Sequence, residues 1–176
     1  MKSKTENILM VLRVLAWIAM IGYAVKLGSQ VISIVVSLIN PDASRQIPGI
    51  ANNLSALLDY NFRIYVLAMS IVIAISAMFV YVWYTVIALL SRLNIKSPFT
   101  IEVSKKLERI AYLLFDIWIV GFIGENYVDW LAKKIGEQID IISVGNEFLF
   151  FAGIVYVISQ IFRHGIEIQE ENQQTI

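Results

Sequence analysis

No cysteine occurs among the 176 residues, so disulfides, thiolate chemistry and cysteine-based metal sites are excluded. Histidine occurs once, at His164, and no second His or Cys stands ready to build a metal centre with it. The glycines are scattered and form no phosphate-cradling loop. Serines such as Ser70 and Ser76 lie in an apolar helical stretch, where hydroxyls bond the backbone or a neighbour rather than act as nucleophiles. Charge is scarce as well: 16% of residues, against about 25% in an ordinary soluble domain. The 14 Lys and Arg balance the 14 Asp and Glu, which removes the electrostatic case for direct nucleic-acid binding. These absences point away from an enzyme and leave no cofactor or metal to expect.

What is present is apolar surface. Hydrophobic residues make up 58% of the chain and the mean hydropathy is +0.70, more than one soluble core of this length can bury. The reading is an all-α integral membrane bundle of four transmembrane helices in a single domain, 1–176, with the lipid bilayer as its first partner. The clearest span is 64–90, which carries no charge and as a helix is about 40 Å long, against a hydrocarbon core of about 30 Å. The first span, 8–39, is interrupted by Arg13 and Lys26. Arg13 and the absence of a small-residue cleavage site argue against a removed leader. The third span, 107–128, grows out of an amphipathic piece. Val103, Leu107, Ile110 and Leu114 share one face, with Lys105, Lys106, Glu108 and Arg109 off it, and Ser97-Pro98 reads as the helix start. The fourth span is 141–162 and is expected to stop near Gly165.

The Lys/Arg distribution orients the spans. Lys2, Lys4, Arg13, Arg92, Lys96, Lys105, Lys106, Arg109 and Arg163 fall on one side, and Arg45, Arg63, Lys133 and Lys134 on the other. Both termini are therefore expected in the cytoplasm, with an outer loop at 40–63, an inner loop at 91–106 and a cytoplasmic tail at 163–176. Tyr127 and Trp130 would anchor at the outer interface, and Trp83, Tyr84 and Phe99 at the inner one. In the outer loop, Ile50, Leu54, Leu57 and Leu58 form one face of a short helix, read as a cap packed on the bundle ahead of a ligand-sensing surface. Asn53-Leu54-Ser55 fits a glycosylation pattern too short to carry weight. The tail turns abruptly acidic and amide-rich from Glu167, with Ile166 and Ile168 interleaved. It is either a solvated end or a docking strip for a soluble partner.

Two stretches carry a resemblance. Ser97-Pro98-Phe99-Thr100 with the following VSKKLERIAYLLF, and the ending Gly165, Ile168, Gln169, Glu170, Glu171, Thr175 and Ile176, resemble a bacterial membrane family catalogued as domain of unknown function 2975. Where that family often carries Asp in the tail, this chain has Asn172, which removes that charge. The resemblance implies a four-helix protein of the bacterial cytoplasmic (inner) membrane with no assigned enzyme activity. It also implies a small helix-turn-helix DNA-binding regulator as neighbour, and hence a regulatory protein that holds that regulator at the membrane.

Two functions follow from different residues. The docking reading uses Pro98, Phe99, Lys105, Lys106, Gly165, Ile168, Gln169, Glu170 and Glu171, where opposite charges on loop and tail would clasp. The second uses the intramembrane charges Arg13, Lys26, Asp116 and Glu125, costly groups that mark either interhelical pairs or an ion or proton path. Depth along the first and third helices favours Arg13 with Asp116 and Lys26 with Glu125. A third possibility is an immunity or stress-protection protein acting through the outer loop.

Overall fold

The protein is described by a computed structural model covering residues 4–40, 54–93, 99–136, 139 and 144–174, with side chains excepted at 4, 54–56 and 172–174. All secondary structure among them is helical: α1 (Lys4–Ile39), α2 (Leu54–Tyr60), α3 (Phe62–Arg92), α4 (Ile101–Ile135) and α5 (Glu147–Gln174). Most of the outer loop, with Ile50 and the Asn53 pattern, lies outside the described residues, as do Lys96, Ser97, Pro98, Thr175 and Ile176.

The helix ends follow from local chemistry. Asn61 caps α3, its side-chain oxygen accepting from the Arg63 N–H at 2.9 Å. Thr100 caps α4, its hydroxyl accepting from the Val103 N–H at 3.3 Å, so that helix begins at Ile101, three residues past the start read from Ser97-Pro98. Gly136 closes α4 with a φ of +80°, a left-handed position that costs glycine nothing, and its N–H reaches the Ala132 carbonyl at 2.8 Å. Lys133 and Lys134 in the same last turn complement the helix dipole.

Three helices are long and apolar enough to cross a membrane: α1 over Thr5–Ile39, α3 over Phe62–Arg92 and α5 over Glu147–Glu171. The expected four-span count is thus supported for three. The third expected span lies within α4, which runs 35 residues but bears Glu102, Lys105, Lys106, Glu108, Arg109, Asp116, Glu125, Asp129, Lys133 and Lys134. By contrast α3 carries only Arg63 and Arg92, both near its ends. The helix of the fourth expected span, α5, does not stop near Gly165; it continues to Gln174. Glu and Gln are good helix formers, so the tail propagates the helix that the apolar run begins.

The chain divides into two compact units. The first comprises Met1–Ile21, Tyr81–Asp116 and Asn146–Ile176, the second Gly22–Val80 and Ile117–Gly145. The second unit has a closed apolar core of Leu57 and Leu58 from α2, Tyr65, Ala68 and Met69 from α3, Val128 and Leu131 from α4, and Ile139. Leu57 and Leu58 thereby behave as a packed cap. Within this unit Gly121 and Gly124 are places of close approach: a Cβ would stand 2.6 Å from Val144 and 2.8 Å from Ile71 respectively.

The core also holds a hydroxyl chain. Ser37 donates to the Ser33 carbonyl at 2.8 Å, which leaves its oxygen to accept from the Tyr65 hydroxyl, also at 2.8 Å. Tyr65 and Ser37 are fully buried, so neither hydroxyl can turn to water. The two obvious deletions should therefore differ. Ser37→Ala strands the Tyr65 donor and is expected to cost about 1–3 kcal/mol, whereas Tyr65→Phe leaves Ser37 bonded to Ser33 and should cost about 1 kcal/mol. Thermal unfolding of the two variants in detergent checks the order.

Candidate functional site

The first unit brings the two distinctive sequence stretches together. Phe99 precedes the capping Thr100 and stacks at a tilt on Phe162 of α5, with ring centroids 5.2 Å apart. Its ring also lies over Gly165, where a Cβ would stand 2.8 Å from Cδ1 and 3.0 Å from Cε1. A glycine inside a helix costs about 0.5–1 kcal/mol relative to alanine. Here it makes room for an aromatic ring from the segment leading into α4.

Beyond that contact α4 and α5 approach closely. Ser104, which is buried, donates to the Ser159 carbonyl at 3.1 Å, and the Ser159 hydroxyl turns back to the Tyr156 carbonyl at 2.7 Å. A cleft of about 310 Å³ opens beside them. Ile101, Ser104 and Ile166 form its apolar and neutral wall, and Lys105, Glu108, Arg163, Glu167 and Glu170 supply both signs of charge. Glu167 is engaged along its own helix, by Arg163 at 4.0 Å and His164 at 3.3 Å. Lys105 and Glu170 face the cleft without an ion pair between them. The expected clasp of opposite charges between Lys105 and Glu170 is not made; the contacts that join α4 and α5 here are an aromatic ring on a glycine and a buried serine bond.

The remaining docking residues divide by exposure. Lys106 pairs with Glu102 one turn earlier at 3.8 Å, and Arg92 reaches the same carboxylate at 3.6 Å. Ile166 is buried while Ile168, Gln169, Glu170 and Glu171 are exposed. Pro98 lies outside the described residues. Sequence reasoning missed Ser104, Ser159, Glu108 and Arg163 as parts of this site. Ser104 and Ser159 carry no signal in the sequence by themselves, because their bond depends on which two helices touch.

Of the intramembrane charges, Arg13 donates to the Leu90 carbonyl at 2.9 Å and makes no ion pair with Asp116. Asp116 and Lys26 are exposed and Glu125 is half-buried. Arg109 donates to the Tyr81 hydroxyl at 3.3 Å. Among these contacts no ladder of polar groups emerges that would define a path.

A helical chain with three membrane-length helices and a charged cleft on one helix pair is thus the class of protein defined by the fold. The chain belongs to the family described as "Protein of unknown function (DUF2975)", which matches residues 40–176 and so contains both Phe99 and Gly165. No curated protein and no solved structure matches it.

The Phe99–Gly165 contact makes a test by double substitution. Gly165→Ala alone adds a methyl against the ring and is expected to destabilise the protein, by about 1–3 kcal/mol for overpacking less the helix gain. In a Phe99→Ala background the ring is gone, and the same substitution should stabilise by about 1 kcal/mol. A change of sign between backgrounds in denaturant unfolding is the expected result; equal effects would mean that ring and glycine are not coupled.

Proposed function

We propose that this protein sits in the bacterial cytoplasmic membrane with both termini in the cytoplasm, and that the paired ends of α4 and α5 dock a small soluble helix-turn-helix regulator. The observation carrying this reading is the convergence of the two distinctive stretches at one place: Phe99 on Gly165, with the exposed Ile168, Glu170 and Glu171 just beyond. An isoleucine left 46% exposed among acids on a helix end is a surface suited to a partner with an apolar spot ringed by Lys and Arg. Sequestration needs no catalytic group, in keeping with the paucity of chemistry in the sequence. The nine-to-four distribution of Lys and Arg supports the orientation.

The test uses the full chain tagged at its N-terminus, extracted from the native host in mild detergent, with bound proteins identified by mass spectrometry. A small helix-turn-helix protein should be recovered with the unaltered chain and lost with Ile168→Asp or Glu170→Lys, both at exposed positions where folding is not at stake. Recovery of that protein unchanged by both substitutions, or of no such protein at all, sinks the reading. The lack of native cysteine makes orientation directly measurable too. Single cysteines placed at Gln173 and at Asn52 should be shielded from and open to an impermeant maleimide in intact cells, respectively.

A further inference from the structure

The charged cleft and a second, apolar cavity follow one another along the α4–α5 pair. On α4 the cleft's lining residues Ile101, Ser104, Lys105 and Glu108 are followed, at the same helical spacing, by Ala111, Tyr112 and Phe115. These last three line the second cavity, of about 320 Å³. On α5, the stripe Leu149, Ala152, Gly153 and Tyr156 of that second cavity continues through Ser159 to Arg163, Ile166, Glu167 and Glu170 of the first. Steps of three and four residues keep each set on one face of its helix. The buried lining residues are small, being Ser104, Ala111 and Ala152, and Ser104 is tied to the buried Ser159. The two ends differ in chemistry: one carries five charged side chains, the other only apolar and aromatic groups. Between them stand Tyr112 and Tyr156, ring centroids 6.1 Å apart, with the Tyr112 hydroxyl donating to Glu108 at 3.3 Å. Tyrosine with an apolar body and a polar tip belongs at the boundary of hydrocarbon and headgroups.

From these features we infer that the α4–α5 groove binds a single phospholipid with a zwitterionic, ammonium-bearing headgroup of the phosphatidylethanolamine type. The acyl chain lies along Tyr112, Phe115, Leu149 and Gly153. Lys105 and Arg163 hold the phosphate, and Glu108 and Glu170 receive the ammonium group. Charge decides the headgroup: three carboxylates against two cations repel a net-negative lipid and suit one that brings its own cation. Length agrees, since α5 descends about 21 Å from Arg163 to Leu149, enough to follow a chain through one leaflet with about 15 Å of hydrocarbon. Gly153 is exposed and a Cβ there would meet nothing within 4 Å, so the apolar end is open space. This assignment requires the helices to lie in a bilayer but does not depend on the docking of a soluble partner.

The experiment is native mass spectrometry of the full-length protein in mild detergent, titrated with phosphatidylethanolamine or phosphatidylglycerol of identical acyl chains. One phosphatidylethanolamine per chain should be retained, several-fold more tightly than phosphatidylglycerol. Gly153→Leu fills the acyl seat and should weaken retention about tenfold, the loss from displacing roughly two methylenes of contact. Gly28→Leu, at an equally open glycine in the other unit, is the control and should leave retention unchanged. Lys105→Gln should weaken phosphatidylethanolamine several-fold, and helical circular dichroism checks that each variant is folded. Equal retention of the two lipids, or of the Gly153→Leu and Gly28→Leu proteins, overturns the inference, as does a dimer that added lipid fails to dissociate.

Discussion

Inside hydrocarbon a polar group has no water to turn to, and that constraint governs where this chain places its hydroxyls and amides. Along the apolar helices the answer is repeatedly the helix's own backbone. Ser29 donates to the Lys26 carbonyl, Ser37 to Ser33, Ser70 to Leu67, Thr85 to Tyr81, Ser91 to Ala88 and Ser159 to Tyr156. Asn126 does the same with its amide at the Phe122 carbonyl. Each side chain is thereby made compatible with an apolar exterior. Ser104 is different because it crosses to another helix, and Tyr65 because it bonds Ser37 on another helix. The first crossing joins buried residues of α4 and α5, and the second lies in the closed core of the other unit. Among the described residues, the Ser76 hydroxyl and the side-chain amide oxygen of Gln30 are buried without a hydrogen-bond partner, against the expectation that Ser76 would find one.

The same constraint explains α1. Only 6% of its apolar window is buried, and its closed positions are the small residues Ala16, Ser33 and Ser37. A helix that exposes Ile, Leu, Val and Trp around its circumference has too much apolar surface for water. It is also the helix that lies outside the residues matched by the family. Its Arg13, unwelcome in hydrocarbon, is satisfied by the Leu90 carbonyl near the end of α3. That is the behaviour of a structural cation reaching for a helix end, where carbonyls lack intrahelical partners.

Composition and long uncharged runs made the helical, membrane-length character of the chain legible, because those are properties of sequence alone. The helix ends were less so. The start of α4 falls at Thr100 rather than Ser97-Pro98 because two capping residues lie within one turn, and spacing does not choose between them. Gly165 reads in sequence as a stop, yet the helix passes through it; the glycine leaves the space that Phe99 occupies, a contact between residues 66 apart. The pairing of Arg13 with Asp116 failed for a related reason. Depth along an axis says nothing about which way around it a side chain faces, and a carbonyl was also within reach. Of the residues expected to dock a partner, Phe99 meets Gly165, and Lys105 and Glu170 line one cleft, but the serines beneath them carry no signal until two helices are known to touch.

The convergence at Gly165 also ties the two proposals to each other. Glu170 belongs both to the charged end of the lipid groove and to the exposed surface assigned to a soluble partner. One carboxylate cannot serve an ammonium headgroup and an Arg or Lys of a protein at full strength simultaneously. By linkage, whatever free energy the lipid loses when the partner docks, the partner loses equally when the lipid is bound. Under the two proposals the competition is direct at Glu170, on a helix that meets Phe99 at Gly165 and accepts a hydrogen bond from Ser104 at Ser159. If both proposals hold, two unlike cavities on one helix pair would make docking depend on the surrounding lipid without any catalytic group.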